Sequence, residues 1–248
     1  MTSLVGNRVW VIGASSGIGA ALATEVLRRG AAVAASGRRA DALGEVARGR
    51  MLVAPVDIAD AQGVAQAEAE IRTRFGGIDV VVITAGYWRQ MEPAAFDLAE
   101  FQRHIDANLL GMAHCIAAVL PEMTARGKGS IVGVSSVAGY RGMPGAQGYG
   151  AAKAAQLNLL ESLRCGLRGT GVHVQTVAPG FVDTPMTSAN TFPMPFMVSA
   201  ERAASIIADG IERGTPEIVF PLPMTVAMKA ARVVPNRLWP VLFGGRAA

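Results

Sequence analysis

Short apolar runs alternate with longer stretches of helical period along nearly the whole chain, and this alternation restricts the fold more than any other feature. Arg8 to Ile12, Ala31 to Ser36, Met51 to Pro55, Asp79 to Thr84, Ile131 to Val134, Val172 to Val177 and Glu217 to Phe220 read as strands. Gly17 to Arg29 is the first helical stretch between them. The strand runs are apolar at nearly every position, which demands burial on both faces of a sheet. Strands of that kind, separated by helices, build a parallel sheet. The expected class is α/β: a doubly wound parallel sheet flanked by helices on both faces. No repeat, linker or low-complexity tract interrupts it, so residues 1–248 read as one domain. That length suffices for a full core, and 51% hydrophobic against 17% charged residues agrees with extensive burial.

The remaining composition removes function classes. A net charge of +4 without a Lys/Arg block does not describe a nucleic-acid surface. Two cysteines, Cys115 and Cys165, make no disulfide framework, and both read as buried free thiols. Met1 to Arg8 holds no long apolar stretch, so no signal peptide is expected. No run has ~18 uninterrupted apolar residues, so no spanning helix is expected, and a reducing cytoplasm is the expected compartment. His104, His114 and His173 have no second ligand at metal spacing, so no metal site is expected.

The first strand runs into Gly13-Ala14-Ser15-Ser16-Gly17-Ile18-Gly19, which opens a helix. Glycines let backbone approach a pyrophosphate, and a helix N-terminus offers free N–H groups and a positive dipole end. The spacing is Gly-x-x-x-Gly-x-Gly, unlike the common dinucleotide fingerprint, but its strand–turn–helix setting is the one a Rossmann-like fold requires. The second strand ends Ser36-Gly37-Arg38-Arg39. An acid there would bind ribose hydroxyls, whereas an arginine accommodates a 2′-phosphate. Arg38 therefore points to NADP(H) as the preferred cofactor, with NAD(H) still possible.

Chemistry enters with Tyr149 and Lys153, four residues apart and thus on one helix face. Ser136 stands thirteen residues before the tyrosine, just after an apolar run. A phenol normally ionises near pH 10, and a close positive charge favours the phenolate. The trio can therefore shuttle a proton at neutral pH.

Taken together these residues resemble the short-chain dehydrogenase/reductase family over about residues 5 to 220. Gly13, Gly17 and Gly19 match its glycine motif, with Ser15, Ser16 and Ile18 between them. The resemblance implies that Asp57, next to Ile58, contacts the adenine amino group. Ala85-Gly86 matches the end of the family's Asn-Asn-Ala-Gly motif. Pro179-Gly180, with Val182 and Thr184, matches the segment holding the nicotinamide carboxamide. Asn108, Ser136, Tyr149 and Lys153 match its catalytic four. By that resemblance Tyr149 exchanges a proton with the substrate oxygen. Lys153 lowers the phenol pKa and anchors the nicotinamide ribose, Ser136 positions the oxygen, and Asn108 holds a water leading to solvent. Ser135 competes with Ser136, and the family spacing favours Ser136. Ile83 and Thr84 stand where the family has asparagines, so part of its polar bracing is expected to give way to apolar packing.

Two regions depart from the regular pattern. The apolar stretch Thr184 to Val198, taken as a lid over residues 185–199, lacks periodicity. Met143, Phe181, Met186, Met194, Phe196 and Met197 are candidates for an apolar pocket, and Tyr87 and Trp88 for a substrate wall. The tail over residues 221–248 carries Lys229, Arg232 and Arg237 in an apolar, proline-bracketed segment. It can cover the substrate site or a groove of its own chain, form a dimer interface, or lie on a membrane surface, the last being the least favoured. The expected function is interconversion of a small-molecule carbonyl and an alcohol by hydride transfer with NADP(H), in a homodimer or homotetramer. A 3-oxoacyl thioester reductase and a non-catalytic dinucleotide sensor are the alternatives.

Overall fold

A computed structural model describes residues 3–243. The first half runs β1 (Arg8–Ile12), α1 (Gly17–Arg28), β2 (Ala32–Ser36), α2 (Ala40–Ala47), β3 (Leu52–Val53), α3 (Ala61–Phe75) and β4 (Val80–Ile83). It continues with α4 (Leu98–His104), a π turn (Ile105–Leu110), α5 (Gly111–Arg126), β5 (Gly129–Val134), a 3-10 turn (Val137–Gly139), α6 (Gln147–Gly166) and β6 (Val172–Pro179). Then follow β7 (Val182–Asp183), β8 (Val198–Ser199), α7 (Ala200–Arg213), β9 (Glu217–Phe220), α8 (Leu222–Ala231) and α9 (Trp239–Phe243).

Seven strands form one sheet in the order β3-β2-β1-β4-β5-β6-β9, and every pairing is parallel. Alternate side chains of one strand enter different cores. Val9 and Val11 pack with α1, α2 and α7, while Trp10 and Ile12 pack with α3, α5 and Leu160 of α6. Both cores need apolar residues, which is why the strands lack alternation. The strand order reverses between β1 and β4, so their carboxyl ends diverge and leave a crevice.

Several bounds differ from the sequence expectation. The third strand shrinks to Leu52–Val53, because β3 lies at the sheet edge with β2 as its one partner. The sixth extends to Pro179, because β9 pairs alongside as far as Phe220. A short parallel pair, β7 with β8, closes the base of the apolar loop through Val182 opposite Val198. Cys115 is buried as expected, but Cys165 is exposed on α6. The tail becomes α8 and α9 as far as Phe243, and its last five residues lie outside those described. No helix among the described residues is long and apolar enough to cross a membrane.

Candidate active site

The turn after β1 is folded back on itself. Gly13 and Ala14 both donate their N–H groups to Ser36 O, at 2.8 and 2.9 Å. Gly13 has φ +94°, and a Cβ there would lie 2.5 Å from Ala85 N; a Cβ on Gly19 would lie 2.2 Å from Gly13 O. Only glycine fits either position. Thr84 donates its hydroxyl to Ile12 O at 2.7 Å and ties β4 to β1. Polar bracing is thus replaced in part: Ile83 is fully buried in apolar packing, while Thr84 keeps a bracing hydrogen bond.

Helix α1 begins beside this turn with an extended N-cap, Ser16, that makes no side-chain cap. Its first turn carries no acid. The leading N–H groups therefore face the crevice without a partner from their own helix. Beyond them, Arg39 donates to Ser15 O and Oγ at 3.3 Å, while Arg38 is exposed and has no hydrogen bond or ion pair among the described residues. Asp57 accepts from Ala59 N at 3.0 Å.

At the other end, β5 and α6 deliver the chemical groups. Ser135 is buried and donates to Lys153 O at 2.8 Å, so its hydroxyl braces α6. Ser136 caps the 3-10 turn by accepting from Ala138 N at 3.1 Å. Tyr149 and Lys153 stand one turn apart on α6, and Lys153 Nζ lies 5.4 Å from the phenol ring centre. Lys153 donates to Val134 O at 3.1 Å. Burial pushes its ammonium down to about 7. Burial likewise pushes the Tyr149 phenol up to about 12, with Ser136 pulling the other way. Spacing predicts that Lys153 lowers the phenol pKa, but in this structure the burial of each group from water is the larger effect and moves both toward their neutral forms.

Asn108 lies in the π turn, a feature that often marks functional sites. It is buried, and both its amide protons are used: Nδ2 donates to Tyr87 O and His104 O, while Oδ1 accepts from Tyr87 N. Its carbonyl accepts from Gln156 Nε2 at 2.8 Å. Asn108 is thus a strut between the end of β4 and the π turn. A Cβ on Gly86 would lie 3.0 Å from Asn108 Oδ1 and 3.8 Å from Lys153 Nζ, so the strut brings this backbone up to the lysine. His104 sits below, its Nδ1 2.9 Å from Glu100 O and its Nε2 accepting from Arg89 N. These contacts give it a structural task, and no group of three or more metal-type side chains occurs among the described residues.

One cleft of about 520 Å³ joins both ends. Its walls include Gly13, Ser15, Ser16, Gly17, Ile18, Gly19, Arg38, Asp57, Ile58, Ala85 and Gly86 on one side. Ser136, Tyr149, Lys153, Pro179, Gly180, Val182 and Thr184 line the other. Asn108 lies behind the wall. Sequence reasoning missed Arg39, Arg103 and Thr187 as lining residues; the arginine pair after β2 was the one usable signal. Trp88 packs edge-on to Tyr149 with ring centres 5.1 Å apart and donates to Asn190 Oδ1 at 2.8 Å, tethering the apolar loop. Met186 lines the cleft, whereas Phe196 and Met197 are not among its walls.

The model of the short chain dehydrogenase family matches residues 7–193, three quarters of the chain. The chain belongs to the short-chain dehydrogenase/reductase family. An uncharacterized oxidoreductase of Myxococcus xanthus is 40% identical over 92% of this chain and 93% of its own. The cis-4-hydroxycyclohexanecarboxylate dehydrogenase of Sinomonas cyclohexanicum is 38% identical over 78% of this chain and 79% of its own. A short chain dehydrogenase from Burkholderia cenocepacia, solved in complex with NADP, superposes with a TM-score of 0.85 at 25% identity, covering 98% of this chain and all of that one. This protein is accordingly an NAD(P)-dependent oxidoreductase of that family. Its residues fit such a cofactor: the uncapped α1 N-terminus suits a pyrophosphate, and Arg38 is free to meet a further anionic group.

Proposed function

We propose that the enzyme is an NADPH-dependent carbonyl reductase, or in reverse an alcohol dehydrogenase, for small to medium apolar substrates. The observation that carries this reading is the arrangement of one cleft. A neutral phenol, a serine hydroxyl and a buried lysine line one end, and two arginines without a carboxylate at the end of β2 line the other. Gly13 to Gly19, Asp57 with Ile58, Ala85-Gly86, and the run from Pro179 to Thr184 are the proposed cofactor contacts. Bound NADPH supplies the hydride.

Ser136 orients the substrate oxygen. Tyr149 stays protonated at neutral pH, because its pKa lies near 12, and gives its proton to that oxygen as charge develops there. Lys153, titrating near 7, stabilises the phenolate left behind in its protonated form. Asn108 holds the end of β4 against the lysine. The loop tethered by Trp88 and Asn190 covers residues 185–199 and serves as the substrate lid.

A panel of aldehydes, ketones and secondary alcohols, followed by NADPH absorbance with NADH in parallel, tests the reading. Turnover with NADPH supports it, whereas tight NADPH binding with no turnover across the panel would leave a dinucleotide sensor. Arg38→Ala is expected to raise the NADPH KM by about ten- to a hundred-fold, the loss of one charge-assisted contact, with NADH nearly unaffected. Preference of the intact enzyme for NADH would overturn the cofactor assignment.

A further inference from the structure

The tail is pinned to the body on one side. Met224 and Met228 of α8 pack on Val137, Tyr140 and Ala178. Trp239 donates its indole N–H to Gly142 O at 2.7 Å, and Arg141 lies 5.2 Å over its ring. The other side is bare. Leu222 and Val226, on the helix face opposite the two methionines, are 70% and 58% exposed, and Val233 is 83% exposed. Val241 and Leu242 of α9 are exposed as well, and Phe243 is half-exposed where it stacks on Trp239. Seven of the fifteen large hydrophobic residues exposed among the described residues fall between Leu222 and Phe243. Scattered exposure needs no explanation, but concentration of this kind marks an interaction surface.

Charge decides what the surface meets. Residues 218–248 hold four basic residues, Lys229, Arg232, Arg237 and Arg246, and no acid. The remaining residues hold nineteen basic and nineteen acidic side chains, so the chain's whole net charge of +4 lies in this segment. Lys229 is paired with Glu217 and Arg232 lies over Tyr140, while Arg237 has no ion pair among the described residues. Two copies of this segment set face to face would bring together basic side chains and no acid from either segment. An anionic lipid headgroup layer instead complements the arginines and accepts the apolar side chains.

We propose that α8 and α9 dock the enzyme on an anionic membrane surface, with Leu222, Val226, Val241 and Leu242 entering the lipid. The full-length enzyme with NADPH is floated with phosphatidylcholine vesicles, with and without phosphatidylglycerol, and its mass in solution is measured in parallel. Flotation only with phosphatidylglycerol, weakened by salt, is expected. A Val226→Glu/Val241→Glu/Leu242→Glu variant is expected to lose at least about ten-fold in vesicle partitioning while keeping turnover of a water-soluble substrate. No flotation at low salt overturns the proposal, as does unchanged flotation of the variant. A wild-type dimer that the variant converts to monomer, without lipid binding by either, overturns it too and assigns the face to a second copy.

Discussion

Tyr149→Phe is expected to lower kcat for carbonyl reduction by about a thousand-fold while NADPH binding stays within about three-fold of wild type. Phenylalanine keeps the ring and its edge-on contact with Trp88, so the pocket shape survives. What disappears is one hydroxyl at the junction of Ser136 and Lys153. The wild-type phenol is held near pKa 12, so at neutral pH it is almost wholly in the form that can donate. Reduction should accordingly lose rate as Lys153 gives up its proton above about pH 7, and not through phenol ionisation below about pH 10. The reverse reaction needs the phenolate and should accelerate as pH rises. Steady-state rates in both directions, with calorimetric NADPH titration of the variant, check this. A variant retaining more than about a tenth of the rate would mean that another group supplies the proton.

The parts of this molecule visible in its sequence are those set by local pattern. Val80 to Ile83 is apolar throughout because β4 lies at the centre of the sheet and is buried on both faces. The glycine turn is equally legible, because close backbone approach at Gly13 and Gly19 leaves no room for a side chain. The hidden parts depend on distance along the chain or on burial. Trp239 reaches Gly142 across ninety-seven residues, and Trp88 reaches Asn190 across one hundred and two. No periodicity encodes either contact. The π turn at Ile105–Leu110 adds one residue to a turn without disturbing the apolar pattern, so the helix reads as continuous. Desolvation is the other invisible quantity. Spacing places Tyr149 beside Lys153, but only the folded surroundings show that both are driven toward their neutral forms.

That last point gives Lys153→Met two opposite effects. On the proposed mechanism activity should fall by about a thousand-fold, because the side chain proposed to stabilise the phenolate and to meet the cofactor ribose is removed. Stability should move in a pH-dependent way. An unfolded lysine titrates near 10.4, and burial lowers the folded value to about 7. Between these values the unfolded chain binds more protons, so wild-type stability rises with pH across that window. Below it, the buried lysine costs the fold about 3–5 kcal/mol. Methionine removes this cost but leaves Val134 O without its 3.1 Å partner, a loss of about 1–3 kcal/mol. The first effect wins at pH 6, where the variant should be more stable by about 2 kcal/mol. The second wins at pH 10, where it should be less stable by about 1 kcal/mol. Urea unfolding of both proteins without cofactor, at the two pH values, tests the reversal. A variant destabilised equally at pH 6 and pH 10 would show that Lys153 keeps its charge in the fold without penalty, and its role would then rest on placement alone.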